Sequence, residues 1–334
     1  MSEPPQGDRN VQTESPERNR RTIAYAGAES LGELTTALER SEYVWLNLTA
    51  ATVAQLEQAG TSLGLHPLTI EDLQEFNQRA KVEEFGSYLY IVAYGATVDD
   101  GDDDGLVEVH IVFAPDFLLT VAGEQSTALE RLKEQSGERR FSRHELLHSV
   151  LDALIDSYGP LLDSFDTEIE NLEEVIVERD LRGREFEIHN LRRRLARVDR
   201  VVHRQLESFT GIREALRRMP GHHVEDFPYF RDIQDHLIHV SEAADAMRER
   251  IAGLFELYMA ALDNRQNIIM KQFTVIAGIF LPLSVVTGFF GMNFAWMVGE
   301  ISSSHAFLVL GVGVPLAIAM ALVGFFIVRG LFRD

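Results

Sequence analysis

The sequence predicts an α+β membrane protein: an N-terminal α/β domain, a long helical hairpin, and a stalk helix that runs into the first of two C-terminal membrane helices. Three observations carry this. Almost all charge lies before Gln272, and residues 272–299 and 306–328 contain no ionised side chain. Apolar residues follow strand-like patterns up to about Glu138 and recur at spacings of three and four from Ser142 onward. Between Pro228 and Pro282 no proline or paired glycine interrupts the helical pattern.

The chain has 334 residues, enough for two ordinary domains with buried cores. Its net charge of −21 speaks against nucleic acid as a partner and favours cations or a heavily hydrated surface. A salt-loving host would produce the same acidity without any site. With no cysteine, disulfides and thiolate metal sites are excluded, so oxygen or imidazole must hold any metal. Residues 1–21 are polar and proline-bearing, unlike a signal or transit peptide, and read as a disordered tail.

Residues 22–140 form the expected α/β domain, placed in the cytoplasm. Tyr43–Ala50 reads as a strand with Val44, Leu46 and Leu48 on one face, followed by a helix closed by Gly64. Pro67 opens a second helix, YLYIVAYGATV and VEVHIVFAP pair as a hairpin, and FLLTVA is a third strand; strand order is not encoded locally. Residues 141–227 are an acidic helical hairpin. Leu162, Phe165, Ile169, Leu172 and Ile176 make one seam, and Ile188, Leu191, Leu195, Val198 and Val202 the returning one. The stalk, residues 228–272, carries Leu237, Val240, Ala244, Met247, Ile251, Leu254 and Tyr258 at the same spacing. With the first span it would be about 90 Å long and could not stand alone. A seam feeding a membrane span points to a ring of identical stalks.

Phe273–Phe290 and Ala306–Val328 are uncharged runs of 18 and 23 residues, and about 20 suffice to cross a bilayer. Residues 291–305 connect them outside the membrane, and 329–334 form a short cytoplasmic tail. Arg265, Lys271, Arg329 and Arg333 flank the spans, whereas the connector has no Lys or Arg. Both termini are therefore expected in the cytoplasm of a multi-pass protein of the cell (inner or plasma) membrane.

Immediately after the first span stands Gly291-Met292-Asn293, within IFLPLSVVTGFFGMNF. Here the chain resembles the CorA family of magnesium channels, whose signature is Gly-Met-Asn at the outer end of the first of two C-terminal spans. HPLTIEDL, RAKVEEF, LLHSVLDALIDSY and PYFRDIQDH extend the resemblance from about Tyr43 to the end. It implies a funnel-shaped homo-oligomer, a pentamer, that passes Mg2+ and also Co2+ or Ni2+. It also implies that Gly291, Met292 and Asn293 form the selectivity filter. Magnesium is small, octahedral and slow to shed water, so neutral amide and carbonyl oxygens can accept it hydrated.

Stepping inward from Gly291 by three and four residues gives Gly288, Ser284, Leu281, Ala277, Thr274, Met270 and Asn267, a mostly small or polar stripe. The resemblance places pore-lining residues at Asn267, Met270, Phe273, Leu281, Ser284 and Gly288, with Met270, Phe273 and Leu281 as dewetting constrictions. Small residues packing helix on helix are the plainer reading. The resemblance further implies a cytoplasmic ion sensor: Asp232 facing Asp72, with Glu71, of a neighbouring subunit, and Asp152 with Asp156 as a second metal site. Two carboxylates about 4 Å apart repel by about 4 kcal/mol at an effective dielectric near 20, and a dication between them reverses the sign. Glu256 is a candidate pore-facing acid on the stalk.

Three departures from the family pattern bear on ion choice. Phe290 stands where Tyr is common, Ala295 where an acid is common, and the tail RGLFRD carries little positive charge.

Other patterns read as structural. Asp100-Gly101-Asp102-Asp103-Asp104-Gly105 imitates an EF-hand start, but Ile111 occupies the twelfth position and strands flank it. His144 with His148, and His236 with His239, sit at helical spacing without a third ligand in view, and His222-His223 belongs to a loop. No phosphate-binding motif or nucleophile–base constellation points to a pump or an enzyme, and no organic cofactor is expected. A dication falling through 100 mV gains about 4.6 kcal/mol, enough to drive passive uptake. The rivals are a zinc or cobalt transporter of the same superfamily and a non-transporting, membrane-anchored coiled-coil sensor.

Overall fold

Period-two apolar segments build one six-stranded sheet. Its strands are β1 (Ile23–Ala26), β2 (Tyr43–Thr49), β3 (Lys81–Glu84), β4 (Leu89–Ala96), β5 (Leu106–Phe113) and β6 (Phe117–Ala122), in the order β1-β2-β6-β5-β4-β3. β1, β2 and β6 run parallel, while β6, β5, β4 and β3 are antiparallel, so the expected hairpin is β4–β5. The four-residue edge strands β1 and β3 were not anticipated: IAYA and KVEE are too short to show alternation. This computed structural model describes residues 23–27, 31–32, 34–39, 43–97, 105–136, 141–178, 180–219, 227–292, 295–300 and 303–329. The tail at 1–21, the acidic turn at Asp100–Asp104, His222-His223, Asn293 and residues 330–334 lie outside them.

Val44, Leu46 and Leu48 share one face of β2, as expected, but Tyr43 and Trp45 on the other face are equally buried. Helices cover that second face. α1 (Leu34–Glu39), α2 (Val53–Ser62), α3 (Pro67–Asp72) and α4 (Thr127–Ser136) punctuate the sheet, and α5 (Arg143–Asp156) lies on it. Leu147, Val150, Leu151 and Leu154 of α5 join Trp45, Ile91, Val109 and Ile111 in a single core. Ser142 caps α5 through a capping box with Glu145, fixing where its first turn begins. Gly64 closes α2 at φ +68°, a conformation that favours glycine.

α6 (Tyr158–Val177), α7 (Arg184–Phe209) and α8 (Ile212–Arg218) follow, and every seam residue on α6 and α7 is buried. Arg194 on α7 donates to both oxygens of Glu168 on α6 at 2.9 Å. α9 is an unbroken helix from Phe227 to Phe290 that includes Pro282. By contact, the chain divides into Met1–Leu172 with Glu185–Leu254, and Glu173–Arg184 with Phe255–Asp334.

In the second unit the connector contains α10 (Ala295–Glu300), and the second span comprises α11 (Ser304–Ala306), a π-helical stretch Phe307–Gly313 and α12 (Val314–Val328). Both apolar stretches leave their side chains uncovered: 6% of the first window is buried and none of the second. Core helices of a soluble protein would be mostly buried, so these are membrane spans.

Candidate ion path and cation cluster

The first span packs on the second along one face. Val275 is 6% exposed, and a Cβ on Gly278 would come within 2.8 Å of the Phe326 ring, so glycine permits the close approach. At about 100° per residue, Val275, Gly278, Pro282 and Val286 share this face. Asn267, Met270, Thr274, Ala277, Leu281, Ser284, Gly288 and Gly291 lie to one side of it, on average roughly 120° around the helix, with Asn267 and Thr274 nearest the packed face and Ser284 and Gly291 farthest from it. All eight are exposed, as is Phe273 at the stripe's edge, with Met270 at 60%, Phe273 at 66% and Leu281 at 69%. The sequence-derived stripe is thus exposed and lies off the face that packs on the chain's own second span, most of it well around the helix from that face.

The chemistry of that side is set by local hydrogen bonds. Thr274 donates its hydroxyl hydrogen to the Met270 carbonyl at 2.8 Å, which leaves its oxygen lone pairs facing outward as acceptors. Gly291 N–H and Met292 N–H close the last turn on Thr287 O (2.9 Å) and Phe289 O (3.2 Å). The carbonyls of a helix's last turn lack further intrahelical partners, and the C-terminus carries the negative end of the helix dipole. Gly291 and exposed Met292 therefore stand where a cation is attracted. On the stalk, Glu256 is exposed.

The second constellation lies in the first unit. His148, Asp152 and Asp156 occupy one face of α5 at intervals of four, opposite Asp232 and His236, also four apart, on α9. His236 Nδ1 is 3.1 Å from Asp152 Oδ1 and 4.0 Å from Asp156 Oδ1, and His236 Nε2 is 3.8 Å from Asp232 Oδ1. His148 Nε2 faces Asp232 Oδ2 at 3.5 Å; it is buried and has no hydrogen-bond partner among the described residues. Two metal-competent triads result, His148–Asp152–Asp232 and Asp152–Asp156–His236. Partial burial, then the neighbouring Asp152 carboxylate, push the Asp156 carboxyl above its ordinary range against the pull of His236. Carboxylates of this kind suit magnesium, and the added imidazoles suit cobalt, nickel and zinc.

The structure thus gathers Asp152, Asp156 and Asp232 within one chain. Asp72 instead pairs with Lys81 Nζ at 2.6 Å, and Glu71 is exposed beside it. His148 and His236, read from sequence as structural, stand instead beside aspartates, and their neighbours at helical spacing do not join them. His144 is buried against Phe113, and His239 faces Glu242 in solvent. The recoverable signal was the series His148, Asp152, Asp156 matched by Asp232, His236.

A sheet domain, a helical stalk with clustered carboxylates and imidazoles, and two apolar membrane spans fit a membrane transporter of divalent cations. The chain belongs to the CorA-like Mg2+ transporter family, whose model matches residues 40–329. It is 32% identical over 266 residues to the cobalt/magnesium transport protein CorA of Thermotoga maritima, covering 78% of this chain and 75% of that protein. It is 23% identical over 272 residues to the CorA protein of Methanocaldococcus jannaschii, covering 78% and 83%. The complete structure of the M. jannaschii CorA magnesium transporter superposes with a TM-score of 0.73 at 19% identity, covering 84% of this chain and 89% of that one. Full-length CmaX superposes at 0.64 with 22% identity, covering 86% and 88%.

Proposed function

We propose that this chain assembles as a homo-oligomer, a pentamer, whose first spans surround a pore for passive, potential-driven uptake of hydrated Mg2+, with Co2+ and Ni2+ as further cargo. The observation that carries this reading is the exposed stripe of mostly small or polar side chains, the Thr274 hydroxyl among them, on the first span and off the face that packs on the second span. A hydrated dication presents water hydrogens outward, so a wall of lone pairs and small side chains accepts it without stripping its shell. Gly291, Met292 and Asn293 select at the outer mouth, Met270, Phe273 and Leu281 constrict the path, and Glu256 adds an acid below it. Both termini lie in the cytoplasm.

In the same reading, cytoplasmic ion holds the closed state at carboxylates. Asp232 meets Asp72 and Glu71 of a neighbour, while Asp152 and Asp156 form a second site. Occupancy neutralises repulsion between acids, and its loss frees the stalks to separate. Flux of Mg2+, Co2+, Ni2+ and Zn2+ into proteoliposomes tests the whole. Selective Mg2+ flux abolished by Asn293→Ala supports it, and zinc uptake that persists in excess magnesium overturns the ion assignment. Asp232→Ala should blunt closure by internal Mg2+, and unchanged inhibition would refute the sensor.

A further inference from the structure

Outside the ion path, the first unit contains an open cavity of about 530 Å3 between α7, the loop after α3 and the β4–β5 region. Four arginines line it, Arg79 from the loop and Arg197, Arg200 and Arg204 from one face of α7, against two acids, Glu108 and Glu124. In a chain of net charge −21 this concentration of positive charge is anomalous.

Three of those four charges are not spent internally. Arg79, Arg200 and Arg204 make no hydrogen bond or ion pair among the described residues. Glu108 is not their counter-ion. It accepts from Asn77 N–H (2.5 Å), Gln78 N–H (3.1 Å), Tyr94 Oη–H (2.8 Å) and His110 Nε2 (2.8 Å), so its lone pairs are already occupied. Those bonds pin the loop that carries Arg79, which pre-organises the cationic wall. Phe76, Leu106 and Val201 supply an apolar side.

We infer that this cavity binds a small organic polyphosphate, of the nucleoside di- or triphosphate class. Guanidinium forks match phosphate oxygens in pairs and desolvate more readily than ammonium groups. The volume falls within the range of small-molecule sites, roughly 300–1,000 Å3, well above the need of a lone phosphate, and the apolar side suits a base or sugar. The site shares no residue with the proposed ion path or sensor, so a failure of the channel reading leaves it standing.

The test is calorimetric titration of the purified full-length protein in detergent, with EDTA and no divalent ion, using ATP, ADP, adenosine and orthophosphate. ATP and ADP should bind below about 1 mM, with adenosine and orthophosphate weaker by roughly tenfold or more. Arg200→Gln/Arg204→Gln should weaken ATP by roughly tenfold or more at unchanged oligomer mass, and Arg79→Gln offers an independent loop-side check should the double variant misfold. Absence of ATP binding, orthophosphate binding as tight as ATP, or indifference to both variants would overturn the inference. A shift in oligomer mass on losing the arginines would instead make the cavity a contact between protein copies, and overturn it equally.

Discussion

Asp152 on α5 and His236 on α9 meet at 3.1 Å, 84 residues apart in sequence, and join two helices through a carboxylate–imidazole contact. Around that pair, Asp156, Asp232 and His148 add further donors, so one stretch of surface offers oxygen and nitrogen ligands together.

His236→Ala should separate these ligand types. Magnesium prefers the oxygens, whereas cobalt and nickel gain from imidazole. The rise in melting temperature produced by Co2+ should fall by roughly half or more, and that produced by Mg2+ should change little. Equal loss for both ions would remove the imidazole from the site.

Asp156→Asn addresses the repulsion. Its folded carboxyl holds its proton more tightly than the unfolded one, so stability rises as pH falls through the raised value and the penalty persists above it. The variant should melt slightly higher at neutral pH without metal, on the order of 1 °C, and show a flatter acid-side profile. A metal-free protein destabilised by the change would contradict this.

Glu108→Gln should destabilise the sheet domain by about 1–3 kcal/mol in urea titrations, because Asn77, Gln78, Tyr94 and His110 lose an ionic acceptor. Burial opposes ionisation of Glu108, but hydrogen bonds from His110 and Tyr94 outweigh it and hold the carboxyl below its ordinary range. Its contribution is therefore complete above the unfolded carboxylate range and vanishes as pH falls through the folded value. Wild type and variant should converge in acid.

Thr274→Val keeps shape and removes an acceptor from the exposed stripe. Thr287→Val makes the same change at a hydroxyl that also donates backward, to Leu283 O at 2.9 Å, but sits off the stripe. Mg2+ flux should drop roughly threefold or more in the first and hold steady in the second. Equal effects would mean that the stripe does not face the ions.

Gly278→Val should cost about 1–3 kcal/mol of thermal stability in detergent, since the new side chain would strike the Phe326 ring. Adding Phe326→Ala should recover much of that loss. Without recovery, the contact between the two spans is not the source.

The sequence by itself determined the periodic features: the seams of α6 and α7, the continuity of α9, the hairpin β4–β5, both spans and the polar stripe. Each arises within one segment, where apolar spacing and the absence of a breaker act on neighbouring residues. It also carried the Gly291-Met292-Asn293 signature, and with it the family. Tertiary structure alone decided the sheet order, the short edge strands β1 and β3, and the burial of β2 on both faces. It alone brought His148 and His236 to the carboxylates and three unpaired arginines to one cavity. These depend on contacts between residues far apart in the chain, and local periodicity places a side chain on a face without saying what that face will meet.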